Sequence, residues 1–379
     1  MGPTRASEAL LLRRRPRVEG PAVETVILRV DPERPDEGSL RYAASILKRS
    51  GLVAFPTETV YGLGALISKR EAVKRIFEVK GRPLDNPLIV HVSGVSMFLE
   101  LVESPPEEVV RLVERFWPGP LTVVWWKKPL VPDEVTAGLS KVAVRSPAHP
   151  VALKLIELSG EAIAAPSANK SGKPSPTMAE HVASDLYGLI DVIVDAGETI
   201  HGLESTIVDL TASPPRLLRP GALPIEEVER ALGVRLEIPH YAKGHGEAEV
   251  ALSPGMKYKH YAPEAELVVV EADDYSAKLA DVVAKVRVLA SRAKEGRRRV
   301  AVLCSSETRD EYLDLGVEVL DLGSRQHLFT VAKRLFATLR ELDAKGIDYA
   351  VAEGFEERGL GLAIMNRLRK ASGGAVVRV

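Results

Sequence analysis

The chain has a single cysteine, Cys304, among its 379 residues. One thiol can form neither an internal disulfide nor a cysteine-rich metal site, which excludes disulfide scaffolds and cysteine-based zinc folds. Cys304 lies in the apolar run 300–305, and we expect it to fill a buried strand. A single, buried cysteine is consistent with a protein of a reducing compartment.

Neither sign of charge is in excess, since 51 lysine and arginine residues face 52 aspartate and glutamate residues. A dedicated nucleic-acid-binding protein usually has a clear basic excess, so charge alone indicates no such role. No apolar run approaches the ~18 residues that a membrane-spanning helix needs. The apolar stretch 9–12 is too short for the core of a secretion signal. We therefore expect a soluble, cytoplasmic protein.

Standard nucleotide-binding and metal-binding signatures are also missing. The sequence contains no G-x-x-x-x-G-K-[ST] loop, and Gly62-Leu63-Gly64 lacks the further glycine of a dinucleotide fingerprint. It contains no H-E-x-x-H, EF-hand or Cys–His zinc pattern. A nucleotide site in this chain must therefore be built from other elements.

The order of apolar periodicities predicts two α/β domains. Residues 26–238 mix strand and helix patterns without a strict βαβ rhythm, which indicates a twisted mixed sheet flanked by helices. Residues 239–263 are rich in glycine and proline and are predicted to form a linker or lid. Residues 264–379 alternate again and predict a smaller, Rossmann-like domain. Residues 1–25 are predicted to be a basic, flexible tail.

Clusters of polar side chains follow apolar strands of the first predicted domain, where α/β proteins bind ligands. Thr57 and Thr59 either contact a ligand or cap the backbone of their own turn. Lys80 and Arg82 flank a glycine, and they could cap a helix end or clamp phosphates. Arg145 could hold a carboxylate through two hydrogen bonds, or form a surface ion pair.

Three further segments add small hydrogen-bonding groups and another cation: 164–175, Glu204-Ser205-Thr206 and Leu218-Arg219-Pro220-Gly221. Together the clusters predict a pocket for an anionic polar ligand. No nucleophile–base pair is evident among them, so the pattern favours positioning and charge stabilisation over covalent catalysis.

These motifs closely resemble those of the threonylcarbamoyl-AMP synthase family in its two-domain form. The resemblance is carried by 57–63, by Lys80-Gly81-Arg82 with Asn86 and His91, by Ser167-Ala168-Asn169 and by Arg219-Pro220-Gly221. It implies a nucleotidyltransferase that makes L-threonylcarbamoyladenylate from L-threonine, bicarbonate or CO₂, and ATP, with release of pyrophosphate. The product would supply the threonylcarbamoyl (t6A) group on adenosine 37 of many tRNAs.

The resemblance also implies a role for each matching residue. The catalytic cations would be Lys80 and Arg82. The threonine pocket would contain Thr57, His91, Arg145, Ala165 and Ser205. ATP would contact Arg82, Asn86, Ser167, Asn169, Ser175 and Arg219. Tyr258 or Tyr261 could fold over the site as a lid. Lys141 stands where relatives often carry threonine, which leaves a nucleotide contact there open.

The resemblance implies Mg²⁺ held by the ATP phosphates, with no protein side chain assigned as a metal ligand and no zinc, haem or flavin. It implies small-molecule substrates, a functional link to a tRNA threonylcarbamoyl-transferase complex, and neither a membrane nor a disulfide partner. The alternatives are an RNA-binding or nucleotide-sensing module without catalysis, and a carbamoyl-transfer enzyme. The last class carries zinc-finger and acylphosphatase-like modules that this sequence lacks.

Overall fold

The computed structural model describes residues 23–254, 256 and 260–379. Most of the predicted basic tail, and Tyr258 of the predicted lid, lie outside these residues. The chain divides into two compact units. The first unit contains the described residues up to Ser171, with Ser175–Ile200 and Leu252–Pro254. The second unit contains Gly172–Pro174, His201–Ala251 and the described residues after Gly255.

The first unit is a mixed sheet with helices. Its strands are β1 (Val26–Arg29), β2 (Val53–Pro56), β3 (Tyr61–Leu66), β4 (Ile89–His91), β5 (Leu121–Trp126), β6 (Lys141–Arg145), β7 (Ile163–Ala164) and β8 (Val192–Asp195). Its helices are α1 (Glu37–Lys48), α2 (Arg70–Lys80), α3 (Val95–Leu101), α4 (Glu107–Phe116), α5 (Asp133–Thr136), α6 (Pro150–Ser159) and α7 (Ala179–Leu186). The strand order is β1-β8-β2-β3-β7-β4-β6-β5, with both parallel and antiparallel pairs.

The second unit contains an antiparallel pair and a parallel sheet. Its strands are β9 (Thr206–Asp209), β10 (Arg216–Arg219), β11 (Glu266–Glu271), β12 (Val300–Cys304), β13 (Glu318–Asp321), β14 (Tyr349–Glu353) and β15 (Val376–Arg378). Its helices are α8 (Ile225–Leu232), α9 (Tyr275–Glu295), α10 (Leu328–Ala344) and α11 (Leu360–Ala371), with 3₁₀ turns at His240–Lys243 and Arg309–Leu315. β9 pairs with β10, and the parallel order is β13-β12-β14-β11-β15.

Local sequence explains where the elements begin and end. Asp36 accepts a hydrogen bond from the backbone of Ser39 and caps α1. The buried face of α1 repeats at helical spacing, with Leu40, Ala43 and Leu47 among its residues. Gly81 ends α2 in the left-handed conformation, which glycine adopts without a Cβ penalty.

The strand β3 contains Gly62 and Gly64, although glycine is usually depleted from strands. The structure makes it a strand paired with both β2 and β7. A Cβ on Gly64 would lie 2.6 Å from the Ile163 side chain and 2.8 Å from the Phe55 ring. Glycine in this strand therefore allows its neighbours to approach closely.

The predicted class is confirmed, with a mixed sheet and a second, smaller parallel sheet. Cys304 ends β12 and is buried, as expected. Over the described residues, no helix is both long enough and apolar enough to span a bilayer.

Candidate functional site

The turn between β2 and β3 is held by the hydroxyl of Thr57. This hydroxyl donates to the carbonyl of Val60 at 2.6 Å and accepts from the backbone amides of Thr59 and Val60. It also lies 2.9 Å from the Thr59 hydroxyl. The turn-capping alternative therefore describes what Thr57 does within the chain.

Arg145, the last residue of β6, points into the interior and contacts this turn. Its guanidinium lies 2.5 Å from the carboxylate of Glu58, and both side chains are almost fully buried. It also donates to the Thr59 hydroxyl at 2.8 Å and to the Gly119 carbonyl at 3.3 Å. The surface ion-pair alternative is therefore wrong, because the pair lies in the interior, where attraction between charges is stronger.

Glu58 is the functional candidate that sequence reasoning missed. Its Oε1 atom is buried and has no hydrogen-bond partner in the part of the chain that the structure describes. Buried carboxylate oxygens are normally satisfied, so this open acceptor can take a hydrogen bond from a group outside the chain. The available signal was an acidic residue two positions after the apolar strand β2.

His91 ends β4 and is the register partner of Arg145 on β6. Burial, and then the nearby Arg145 charge, lower the pKa of His91 to about 3. The ring is therefore neutral at physiological pH, so it interacts through its ring nitrogens and its apolar surface. It packs edge-on against Phe55, with the ring centroids 6.1 Å apart.

Lys80 fixes the loop that contains Ser167 and Asn169. Its ammonium donates to the Ser167 carbonyl at 2.6 Å and to the Asn169 carbonyl at 2.5 Å. The Lys80 carbonyl in turn accepts from the amide of Ser171. Gly62 forms an isolated bridge with Ser167, which places this loop beside β3.

Arg82 binds the segment just ahead of β4. It donates to the carbonyls of Asn86 at 3.1 Å and Pro87 at 2.9 Å. The Asn86 side chain is 1% exposed, yet neither Nδ2 nor Oδ1 has a hydrogen-bond partner among the described residues. An unsatisfied buried amide costs about 1–3 kcal/mol, so the Asn86 side chain is free to hydrogen-bond a group from outside the chain.

The other predicted site residues divide between the units. Ala165 follows β7, and its amide donates to Ile89 at 2.9 Å. Ser175 is buried in the first unit. In the second unit, Arg219 donates to the backbone and side-chain oxygens of Ser205 at 3.1–3.2 Å. Tyr261 is buried in the second unit and stacks on Phe336, with ring centroids 5.1 Å apart.

A cavity of about 570 Å³ borders Arg82 in the first unit. Its lining includes Glu78, Asp133 and Glu134, which would repel a triphosphate. Among residues 23–254, 256 and 260–379, no group of three or more His, Cys, Asp and Glu side chains is placed to hold a metal ion.

Known protein families match this sequence along most of its length. Residues 45–221 match the Sua5_yciO_yrdC family, described as telomere recombination, and residues 223–373 match the threonylcarbamoyl-AMP synthase C-terminal domain. The threonylcarbamoyl-AMP synthase of Pyrococcus abyssi is 50% identical over 358 residues, which cover 94% of this chain and 100% of the relative. That of Bacillus subtilis is 46% identical over 345 residues, covering 90% and 95%.

The crystal structure of P. abyssi Sua5 complexed with L-threonine matches with a TM-score of 0.85 at 50% identity. The match covers 94% of this chain and 99% of that one. The fold and these matches together define a two-unit α/β enzyme. The chain belongs to the threonylcarbamoyl-AMP synthase family, so the predicted family and enzymatic class are confirmed.

Proposed function

We propose that the chain makes L-threonylcarbamoyladenylate. The threonine amine adds to CO₂, supplied as such or from bicarbonate, and loses a proton to give an N-carboxylate. An oxygen of this carbamate attacks the α-phosphorus of ATP, and the bond to pyrophosphate breaks. Because the carbamate is itself an anionic nucleophile, the protein needs no serine or cysteine nucleophile. It must position the reactants and offset the developing charge.

The buried Arg145–Glu58 pair is the observation that carries the proposal. An amino acid has one carboxylate and one ammonium on the same carbon, and this pair offers a cation and an anion side by side. Arg145 would hold the carboxylate of threonine, and the open Oε1 of Glu58 would accept from its amine. Thr57, the neutral His91, Ala165 and Ser205 would line the rest of the pocket.

The phosphate end would use the cations and small polar groups that follow α2 and β7. Arg82 and Lys80 would offset charge on the phosphates. The unsatisfied amide of Asn86 supports a nucleotide contact. Ser167, Asn169, Ser175 and Arg219 would complete the set. Magnesium would enter as part of the MgATP substrate, and we assign it no protein ligand.

The labile mixed anhydride would be protected by the linker, with Tyr258 or Tyr261 as part of the lid. The product would be passed to a tRNA threonylcarbamoyl-transferase complex in the cytoplasm. Both the lid and this partner belong to the proposal.

Threonine-dependent and bicarbonate-dependent exchange of pyrophosphate into ATP tests the proposal, together with detection of the adenylate by mass spectrometry. We expect exchange only when all three substrates are present. An RNA-binding or nucleotide-sensing module would give no exchange under any of these conditions, and that result would reject the enzymatic proposal.

A further inference from the structure

Arg367 of α11 is fully buried within the second unit and is held by several contacts. Its Nε donates to the Glu204 carboxylate at 2.9 Å, and its Nη1 donates to the Pro220 carbonyl at 2.8 Å. Nη1 also donates to Asn366 Oδ1 at 2.8 Å. The guanidinium lies over the Tyr261 ring, 5.3 Å from its centroid. A buried guanidinium is costly unless it is well bound; here Nε and Nη1 are hydrogen-bonded, whereas Nη2 has no hydrogen-bond partner among the described residues.

The two groups that Arg367 binds lie immediately beside two predicted site residues. Glu204 precedes Ser205, and Pro220 follows Arg219. The two loops are packed closely, since a Cβ on Gly221 would lie 2.3 Å from the Glu204 carbonyl oxygen. One guanidinium therefore joins both loops at the point where Arg219 donates to Ser205.

We infer that Arg367 is a positioning residue that holds the loops of Ser205 and Arg219 in their working orientation. The inference rests on the proposed function, in which Arg219 contacts ATP and Ser205 lines the threonine pocket. Through Arg367, the C-terminal helix α11 would contribute to substrate binding. Without Arg367, the buried Glu204 carboxylate would lose the ion pair to its Nε, and the two loops would shift in response.

The electrostatics around α11 support this role. Burial, and then the charges of Arg367 and Arg219, lower the pKa of Lys370 to about 7. Lys370, Arg367 and Arg219 thus lie close enough to repel one another. Glu204 offsets part of this repulsion, and an anionic ligand on Arg219 would offset more of it.

Substrate kinetics of the full-length chain test the inference. We expect Arg367→Met to raise the KM for ATP about 10-fold, which corresponds to about 1.4 kcal/mol. Arg219→Ala should raise it too, and in the double variant the two effects should not add, because one residue acts through the other. Arg367→Lys should recover part of the affinity.

The matched control is Arg325→Met, because Arg325 also lies in the second unit, has a side chain only 8% exposed, and pairs with Glu353 at 2.8 Å. This variant should lose thermal stability yet keep its KM for ATP within twofold. If Arg367→Met does not fold, Glu204→Gln keeps the volume, removes the same ion pair and should raise the KM for ATP.

An unchanged KM for ATP in the Arg367 and Glu204 variants of an active enzyme would reject the positioning role alone. Additive effects of Arg219→Ala and Arg367→Met would reject it too, as would an equal rise in the Arg325 control. A wild-type chain that forms no adenylate would reject the proposed function and this inference with it.

Discussion

The charge of Arg145 is balanced by Glu58 inside the first unit, so each group depends on the other. Removing one partner of a buried pair typically costs about 3–5 kcal/mol. We expect Glu58→Gln to raise the KM for threonine about 10-fold, with a smaller change in kcat, because the amine loses a charged acceptor. Arg145→Ala should weaken threonine binding further.

Glu161→Gln is the control for this pair, since Glu161 accepts from Ser68 at the surface. Initial rates against threonine concentration give the measurement. A threonine dependence that is unchanged in both Glu58→Gln and Arg145→Ala would refute the assigned pocket.

Arg82 is oriented by the Asn86 and Pro87 carbonyls, which hold its guanidinium in one direction. We expect Arg82→Ala to lower turnover about 10²-fold, because one preorganised charge contact to a transition state contributes roughly 2.7–4 kcal/mol. Circular dichroism should show that the fold survives. Arg75→Ala, in the helix α2 that precedes Arg82 but bound to Ser50 and Asp191, should keep its rate. A wild-type kcat in Arg82→Ala would show that Arg82 does not stabilise the transition state.

His91 makes the first unit sensitive to acid. Its pKa is lowered to about 3 in the fold, whereas an unfolded histidine titrates near 6.5. Between these values the unfolded chain binds a proton that the folded chain does not, so stability falls as the pH falls. The loss attributable to His91 is at most about 2 kcal/mol between pH 6.5 and pH 5.

Thermal midpoints at pH 7 and pH 5 measure this effect. We expect a smaller drop for His91→Asn than for the wild type, whereas His327→Gln, at an exposed site, should behave as the wild type does. Equal drops in all three proteins would show that His91 is not the group responsible.

At the scale of elements, amphipathic helices were the most predictable part of the fold. The helical periodicity of 107–116 and of 225–232 predicts a helix over each range, and α4 and α8 have these bounds in the structure. The helix α7 was missed, and its N-cap, Met178, offers no side-chain capping signal. The strand β3 was missed because glycine, which usually breaks strands, is required there by packing.

The sequence identified which residues are candidates for the site, but not which of them contact one another. Motif spacing identified Arg145 and the turn beside it as candidates. Their pairing joins Arg145 to Thr59 across 86 positions of sequence, and no local pattern encodes such a contact. Glu58 was therefore passed over, although it lies inside the quoted motif.

Substitution of Gly64 tests whether close packing requires glycine in β3. Gly64→Ala would place a methyl group within 3 Å of Ile163 and Phe55. Overpacking of this kind typically costs about 1–3 kcal/mol, so we expect a lower thermal midpoint. Gly94→Ala is the matched control, because nothing lies within 4 Å of its added Cβ. Equal midpoints for the two variants would contradict the packing account.

At the scale of the molecule, the second unit includes both His201–Ala251 and the C-terminal sheet. A chain that ends at Ile238 would keep Glu204 but lose Arg367, its buried partner. We expect this truncated chain to yield no net adenylate, or to release hydrolysed product, because the mixed anhydride would meet water. The adenylate yield of full-length Arg367→Met shows how much of the loss comes from the Arg367–Glu204 contact alone and how much from the missing segment. Wild-type yield from residues 1–238 would overturn the expectation.

Cys304 lies at the end of β12, with β13 and β14 on either side, and burial raises the pKa of its thiol. The thiolate, which is the reactive form, is therefore scarce, and the sulfur is shielded from solvent. As the sole sulfhydryl of the chain, it is a natural labelling probe. Its alkylation by a thiol reagent would report when the parallel sheet opens, with no engineered cysteine needed.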